Sequence, residues 1–267
     1  MLHAYANHLT ARALSDRTLK RYVGTVALFA RFVAPTPLGD VGPVDVEEFL
    51  RAHPNAKTRH AYRSDLKAFY RFGVRRLGFA ANPVDDVDPV KVPKAVPRPI
   101  CVGDALTAVH YGELRTRRAV GLGLFAGLRN MEIAGLDCVD VSLHHRELVV
   151  RGGKGGKDRV VPVHPVLARL LDGIGVRGPV IVGRHGGPVR PDTVGDIIRR
   201  QFVELGITAT PHQLRHTFGT EMTRQANGNL VVVAQTMGHA STNTTMGYNG
   251  WSPAARPIVD GMYDDAA

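Results

Sequence analysis

Residues 211–216 read PHQLRH, at the head of an expected helix over His212–Arg224. His212 and His216 stand four residues apart, which places them on one helix face, the spacing that paired zinc ligands use. Gln213 occupies the position where a zinc hydrolase of the HExxH kind needs its glutamate, so no metal site is expected here. His216 then reads as a structural partner within the helix. Working outward, three more segments concentrate reactive side chains: AGLRNMEIAGLD at 126–137, RGGKGGKDRVVPV at 151–163 and MGHASTNTTMGYNGW at 237–251. The glycine-rich segment at 151–163 has the outline of a phosphate loop but is not one. Arg151 stands where such a loop requires glycine, and Asp158 replaces its Ser or Thr. Its plain reading is the turn of a β-hairpin. Taken singly, Arg129 reads as a surface arginine, His239 as a helix-terminus histidine, Tyr248 as a core tyrosine and Trp251 as a packing residue.

Around these segments the pattern is mostly helical. Ala119–Ala126 is an apolar helix, and further helices are expected near Val166–Leu171, Asp192–Leu205 and Leu230–Met237. The β-branched runs Glu147–Arg151 and Arg159–Val163 flank the glycine turn as two strands. Before them, helical periodicity dominates residues 1–82. Leu19, Tyr22, Val23, Val26, Phe29, Ala30 and Val33 recur at three- and four-residue steps, and Ser15 and Asp16 can cap that helix. Another helix runs from about Lys57 to Phe72, with Tyr62, Leu66 and Phe69 as its apolar stripe.

Beside that stripe Arg59, Arg63, Lys67, Arg71 and Arg75 recur every four residues. Asp65 is the only acid between Lys57 and Arg76, so ion pairing within the helix is nearly absent and the row calls for an external anion. The whole chain points the same way. Its 267 residues carry a net charge of +10 and a pI near 10.0, a field that favours nucleic acid or an anionic surface. The longest apolar run, Ala119–Leu128, is too short to span a membrane, and no signal peptide is visible. With Cys101 and Cys138 the only cysteines, no disulfide framework is implied and a reducing cytoplasm is the expected compartment. Pro83, Pro89, Pro93, Pro97 and Pro99 mark an extended linker between two domains.

Together, in this order, after a basic helical region and a proline linker, the four segments resemble the catalytic domain of the tyrosine recombinases: phage integrases, Xer-type resolvases and integron integrases. The resemblance covers nearly the whole chain. It implies six catalytic residues. Arg129 matches the first arginine of the GLR…E…L signature, Lys154 the lysine of a hairpin turn, and His212 and Arg215 the H-x-L-R pair. His239 matches the histidine of the family's LGH segment, written MGH here, and Tyr248 the nucleophile nine residues on.

The implied fold is mostly α with a small β-sheet: a helical core-binding domain over residues 1–85, a linker over 86–97 and a catalytic domain over 98–267, closing on duplex DNA as a two-domain clamp. The implied chemistry is cleavage and rejoining of DNA through a 3′-phosphotyrosyl link, needing neither metal nor ATP. The implied assembly is a homotetramer on paired sites, with the tail 252–267 docked on a neighbouring protomer and no membrane involved. Arg59, Arg63, Lys67, Arg71 and Arg75 are the expected DNA-binding residues. No room is expected for an amino-terminal arm-binding domain, which makes a simple integrase of a phage or mobile element the first reading. An Xer-like resolvase is the next, and a catalytically idle DNA-binding protein a third from another class. The target sequence, and any directionality factor, do not follow from these residues.

Overall fold

The computed structural model describes residues 1–12, 14–93, 98–152, 158–227, 229–238 and 255–264. The chain divides into two compact units, Met1–Ala95 and Val96–Ala267.

The first unit is built from α1 (Leu2–Thr10), α2 (Asp16–Phe32), α3 (Pro43–Arg51) and α4 (Ala56–Arg76). Short polar side chains start the longer helices, as the unpaired N–H groups of a first turn require. Ser15 Oγ accepts from Thr18 N at the head of α2, and Asn55 Oδ1 accepts from Lys57 N and Thr58 N at the head of α4. The expected periodic stripes close on one core, in which Tyr5, Phe29, Phe49, Leu66, Phe69 and Tyr70 are all buried. Asp65, the lone acid of the basic helix, does not balance its neighbours on the surface. It is buried, accepts from Thr25 Oγ1 at 3.0 Å, and lies 3.0 Å from Arg21 Nη1, so it fastens α2 to α4.

The proline-rich stretch begins inside this core rather than beyond it. Val84 and Val87 are buried in the first unit, and Arg63 donates from Nε and Nη2 to the Val87 carbonyl at 3.2 and 2.5 Å. Lys67 Nζ lies 2.8 Å from Asp85. Prolines cannot continue a helix, but the valines between them bring enough apolar surface to hold the chain down.

The second unit contains α5 (Val102–His110), α6 (Leu114–Phe125), α7 (Asn130–Ala134), β1 (Val141–Ser142), β2 (Glu147–Val150), β3 (Arg159–Pro162), α8 (Pro165–Leu171), α9 (Pro191–Glu204), α10 (Pro211–Gln225), α11 (Leu230–Met237) and α12 (Ala255–Asp260). The three strands form one antiparallel sheet in the order β1-β2-β3. Val150 pairs with Arg159 as the last pair before the glycine-rich turn. The centre is α6, buried from Ala119 to Phe125 and packed against α5, α8, α9 and α10. A helix that is apolar on all sides has to be surrounded in this way.

Two glycines let α10 approach it. A Cβ on Gly123 would meet Leu214 at 3.1 Å. Gly127, just past α6, has φ +61° and lies against the ring of Phe218. Over the far side, α12 packs on its own unit. Ala255 and Val259 are buried, Arg146 grips Asp260 through two hydrogen bonds of 3.0 and 2.8 Å, and Tyr263 Oη donates to the Leu124 carbonyl at 3.0 Å. No helix among the described residues is long and apolar enough to cross a membrane.

Gly127→Ala is expected to destabilise the protein by about 3 kcal/mol, because a left-handed non-glycine backbone costs on the order of 1–3 kcal/mol and the methyl must also displace Phe218. Gly24→Ala, inside α2 with nothing within 4 Å of the added carbon, should instead be neutral or stabilising by up to about 1 kcal/mol. Urea unfolding of both variants checks the pair.

Candidate active site: an arginine cluster around Glu132

Arg129 is the N-cap residue of the short helix α7, and Glu132 is its third helical residue. That spacing lets the glutamate turn back on the helix start. Its Oε2 accepts from Arg129 N at 2.8 Å, and its Oε1 accepts from Arg129 Nη1 at 2.9 Å. From β3, Arg159 lays both Nη atoms on the two carboxylate oxygens, each at 2.9 Å. From α10, Arg215 Nη1 comes within 3.9 Å of Oε2. The Glu132 side chain is only 5% exposed, Arg215 4% and Arg159 10%, while Arg129 keeps 28%.

Burial works against ionising this carboxyl. The Arg159 fork, the backbone N–H of Arg129 and the charge of Arg215 outweigh it and hold the group down at about 2. Arg215 is opposed in turn by burial and by Arg129, and drops to about 10, which still leaves it protonated at neutral pH. Three guanidiniums thus share one carboxylate, and the surplus positive charge suits an anion.

The head of α10 supplies the next group. Thr210 N donates to Gln213 Oε1 at 2.8 Å, so the glutamine that replaces the zincin glutamate caps the helix. His212, in the first turn, is exposed, and its ring centroid lies 4.5 Å from that of His216. Partial burial, then the charges of His216, Arg215 and Arg129, push its pKa below the usual histidine value. A neutral imidazole beside the arginines is free to accept a proton. Among the described residues no group of three His, Cys, Asp or Glu could hold a metal ion.

Arg215 is nearly closed off from solvent. It faces Glu132 by charge alone, donating from Nη1 to the Gly127 carbonyl and from Nη2 to the Met237 carbonyl at 2.6 Å. Arg159 Nε donates to the neighbouring carbonyl of Thr236 at 3.1 Å. The structure therefore brings Arg129, His212 and Arg215 together. Lys154, His239 and Tyr248 lie outside the described residues. Arg159 was not singled out from the sequence, and Glu132 was present there only as the acid of the GLR…E…L signature, with no role given to it. A second signal for Glu132 is its place three residues after Arg129, where a capping carboxylate belongs.

The basic row of α4 divides. Arg63 and Lys67 are engaged by the 84–88 segment, while Arg71 and Arg75 are exposed. With His8, Arg12 and Arg76 they line a cleft of about 400 Å³ in the first unit.

Known proteins place this architecture. The phage integrase family profile matches residues 102–253, and the profile for the phage integrase N-terminal SAM-like domain matches residues 2–77. The fold and the matched segments define a family: the chain belongs to the phage integrase family, the tyrosine recombinases. It is 30% identical over 270 residues to the tyrosine recombinase XerC of Mesorhizobium japonicum, covering 90% of this chain and 86% of the relative. It is 33% identical over 208 residues to the tyrosine recombinase XerC 2 of Ralstonia nicotianae, covering 70% of this chain and 59% of that protein. In fold it is similar to lambda integrase, in a structure of the dimer bound to a COC′ core site, with a TM-score of 0.75 at 19% identity over 92% of this chain and 96% of that one.

Because the Glu132 carboxyl is held low in the folded protein, the unfolded chain takes up its proton first as pH falls. Stability from this group is complete above about pH 4.5 and is lost as pH drops towards 2. Glu132→Gln should cost about 3–5 kcal/mol at pH 7, the effect of leaving buried guanidiniums without their counter-charge, and should flatten the stability profile between pH 4.5 and 2. Urea unfolding at a series of pH values measures both; an unchanged profile would show that Glu132 is not the titrating group.

Proposed function

We propose that this chain is a site-specific DNA recombinase that cuts and rejoins duplex DNA through a covalent bond to Tyr248. The observation that carries the reading is the convergence of Arg129 and Arg215 on one buried carboxylate with His212 beside the arginines, in a chain whose sequence supplies a lysine turn and a tyrosine at the family's spacing. Phosphoryl transfer needs a nucleophile, stabilisation of charge on the non-bridging oxygens and a proton for the leaving oxygen.

In this reading the Tyr248 oxygen attacks the scissile phosphorus in line while the bond to the 5′-oxygen breaks. The product is a 3′-phosphotyrosyl ester and a free 5′-hydroxyl. His212 takes the phenolic proton, and Lys154 donates one to the departing 5′-oxygen. Arg129 and Arg215 offer planar donor forks to the non-bridging oxygens, and His239 adds a hydrogen bond to the phosphate. Rejoining is the reverse, with the 5′-hydroxyl of a partner strand as nucleophile. The ester conserves the energy of the phosphodiester, so the scheme calls for no ATP.

Residues 1–85 would serve as the core-binding domain, 86–97 as the link and 98–267 as the catalytic domain, working as a homotetramer on paired sites in the host cytoplasm. One related lambda integrase structure is of a tetramer bound to a Holliday junction, which supports that assembly. The role we favour is integration and excision of a phage or mobile element. An Xer-like resolvase is the alternative, supported by the XerC relative aligned over 90% of the chain. An attachment-like inverted repeat beside the gene would favour the first.

Tyr248→Phe should retain specific DNA binding and form no covalent protein–DNA adduct; a nicked or covalent product from this variant would overturn the assignment. Lys154→Ala should cleave ordinary DNA roughly 100- to 10,000-fold slower, the usual contribution of a general acid. It should recover on a substrate with sulfur at the 5′-bridging position, since a thiol of pKa about 8.5 leaves without help.

For the first unit, neutralising Arg71 and Arg75 should reduce the log–log salt dependence of binding by about 0.9 for each phosphate that is no longer neutralised. Arg63→Gln should instead lower stability, because its donors hold the Val84–Val87 turn. Salt titrations of both variants, with melting curves alongside, separate the two arginine roles.

A further inference from the structure

Arg159 takes no part in the scheme above, yet it is among the most heavily bonded side chains of the second unit. One guanidinium performs two tasks. Its Nη pair closes on Glu132, and its Nε reaches across to the Thr236 carbonyl on α11. Arg215 bridges the same gap more loosely, with Nη1 3.9 Å from Glu132 and Nη2 donating to the Met237 carbonyl.

The last carbonyls of α11 are therefore held by two arginines that share one carboxylate. This helix needs such help. It has eight residues, LVVVAQTM, with no basic side chain in its last turn. Helices this short are marginal alone, and the unpaired carbonyls and negative dipole end at a C-terminus favour cations. Gly238 then ends the helix with φ +62°, and a Cβ there would press on the Arg159 side chain, 3.1 Å from its Cδ. Next in sequence comes His239, with Tyr248 nine residues beyond.

We propose that Arg159 is a positioning residue for strand cleavage: by locking the C-terminal carbonyls of α11 onto the Glu132 cluster, it fixes the point from which the chain leaves towards His239 and Tyr248. The inference rests on the recombinase reading but adds a residue that touches neither phosphate nor leaving oxygen. Lysine is the discriminating substitution. An ammonium at the end of the stem keeps a positive charge beside Glu132 but has no Nε–H to give Thr236 at the same time.

The test measures single-turnover adduct formation and DNA affinity for Arg159→Lys and Gly238→Ala, the latter disturbing the same junction from the helix side without removing a charge. We expect both to bind DNA within about 3-fold of wild type and to form the adduct about 100-fold more slowly, the scale of a misplaced reactive group. Backbone amides of 230–237 should exchange faster in Arg159→Lys but not in Tyr248→Phe. A 5′-bridging sulfur should rescue neither variant. Near-wild-type cleavage by Arg159→Lys would overturn the proposal, since the ion pair alone would then suffice. Rescue by sulfur would also overturn it, by moving the defect to the leaving-group side. If Arg159→Lys fails to fold, Gly238→Ala decides: normal cleavage by it overturns the proposal. Adduct formation by Tyr248→Phe would instead sink the recombinase reading itself, whatever Arg159 does.

Discussion

The second unit turns on one buried carboxylate. Arg129, Arg159 and Arg215 come from three separate elements onto it, Arg159 and Arg215 almost closed off from solvent, and like charges so placed repel strongly at low local dielectric. Glu132 makes their approach tolerable. It also links α7, β3 and α10 directly, and α11 through the additional bonds of Arg159 and Arg215. Because the carboxylate offsets only part of the positive charge, the cluster is both held together and left with affinity for an anion. Structural cohesion and surplus positive charge come from the same arithmetic.

Much of the fold is legible from apolar spacing. The helices expected at Asp192–Leu205 and Leu230–Met237 appear as α9 and α11, and the β-branched runs appear as β2 and β3, paired across the glycine turn. These are places where one side-chain period dominates and the core enforces it. Two features escaped for opposite reasons. The prolines around residues 83–93 correctly ruled out helix, but whether an irregular stretch packs depends on a few valines finding a surface, and Val84 and Val87 find one. Asp65 has the sequence position of a weak counterweight to a basic row; it is instead the buried clasp between α2 and α4, set by tertiary contacts that helix spacing does not encode.

The arginine cluster was legible only in part. Arg129, His212 and Arg215 stand out because they occupy matched motif positions. Arg159 begins a β-strand inside an ordinary RVVPV run, and its partners are a carboxylate 27 positions earlier and a backbone carbonyl 77 positions later. Backbone acceptors leave no trace in side-chain pattern, so a residue whose work is to hold a helix end is the kind that motif reading passes over. The reverse holds for Arg63, conspicuous in its row but committed to backbone carbonyls.

The docking of α12 onto its own unit has a further consequence. Asp260 is gripped by Arg146, Arg256 Nη2 donates to Glu147 at the start of β2, and Tyr263, just past the helix, reaches the Leu124 carbonyl on α6. The sheet and the central helix are therefore cross-tied by residues that lie 109 to 139 positions away in the chain. Contacts so distant in sequence cost loop-closure entropy before they repay it. The second unit thus carries a topology of high contact order, in which the last ties to form govern how fast the whole unit closes.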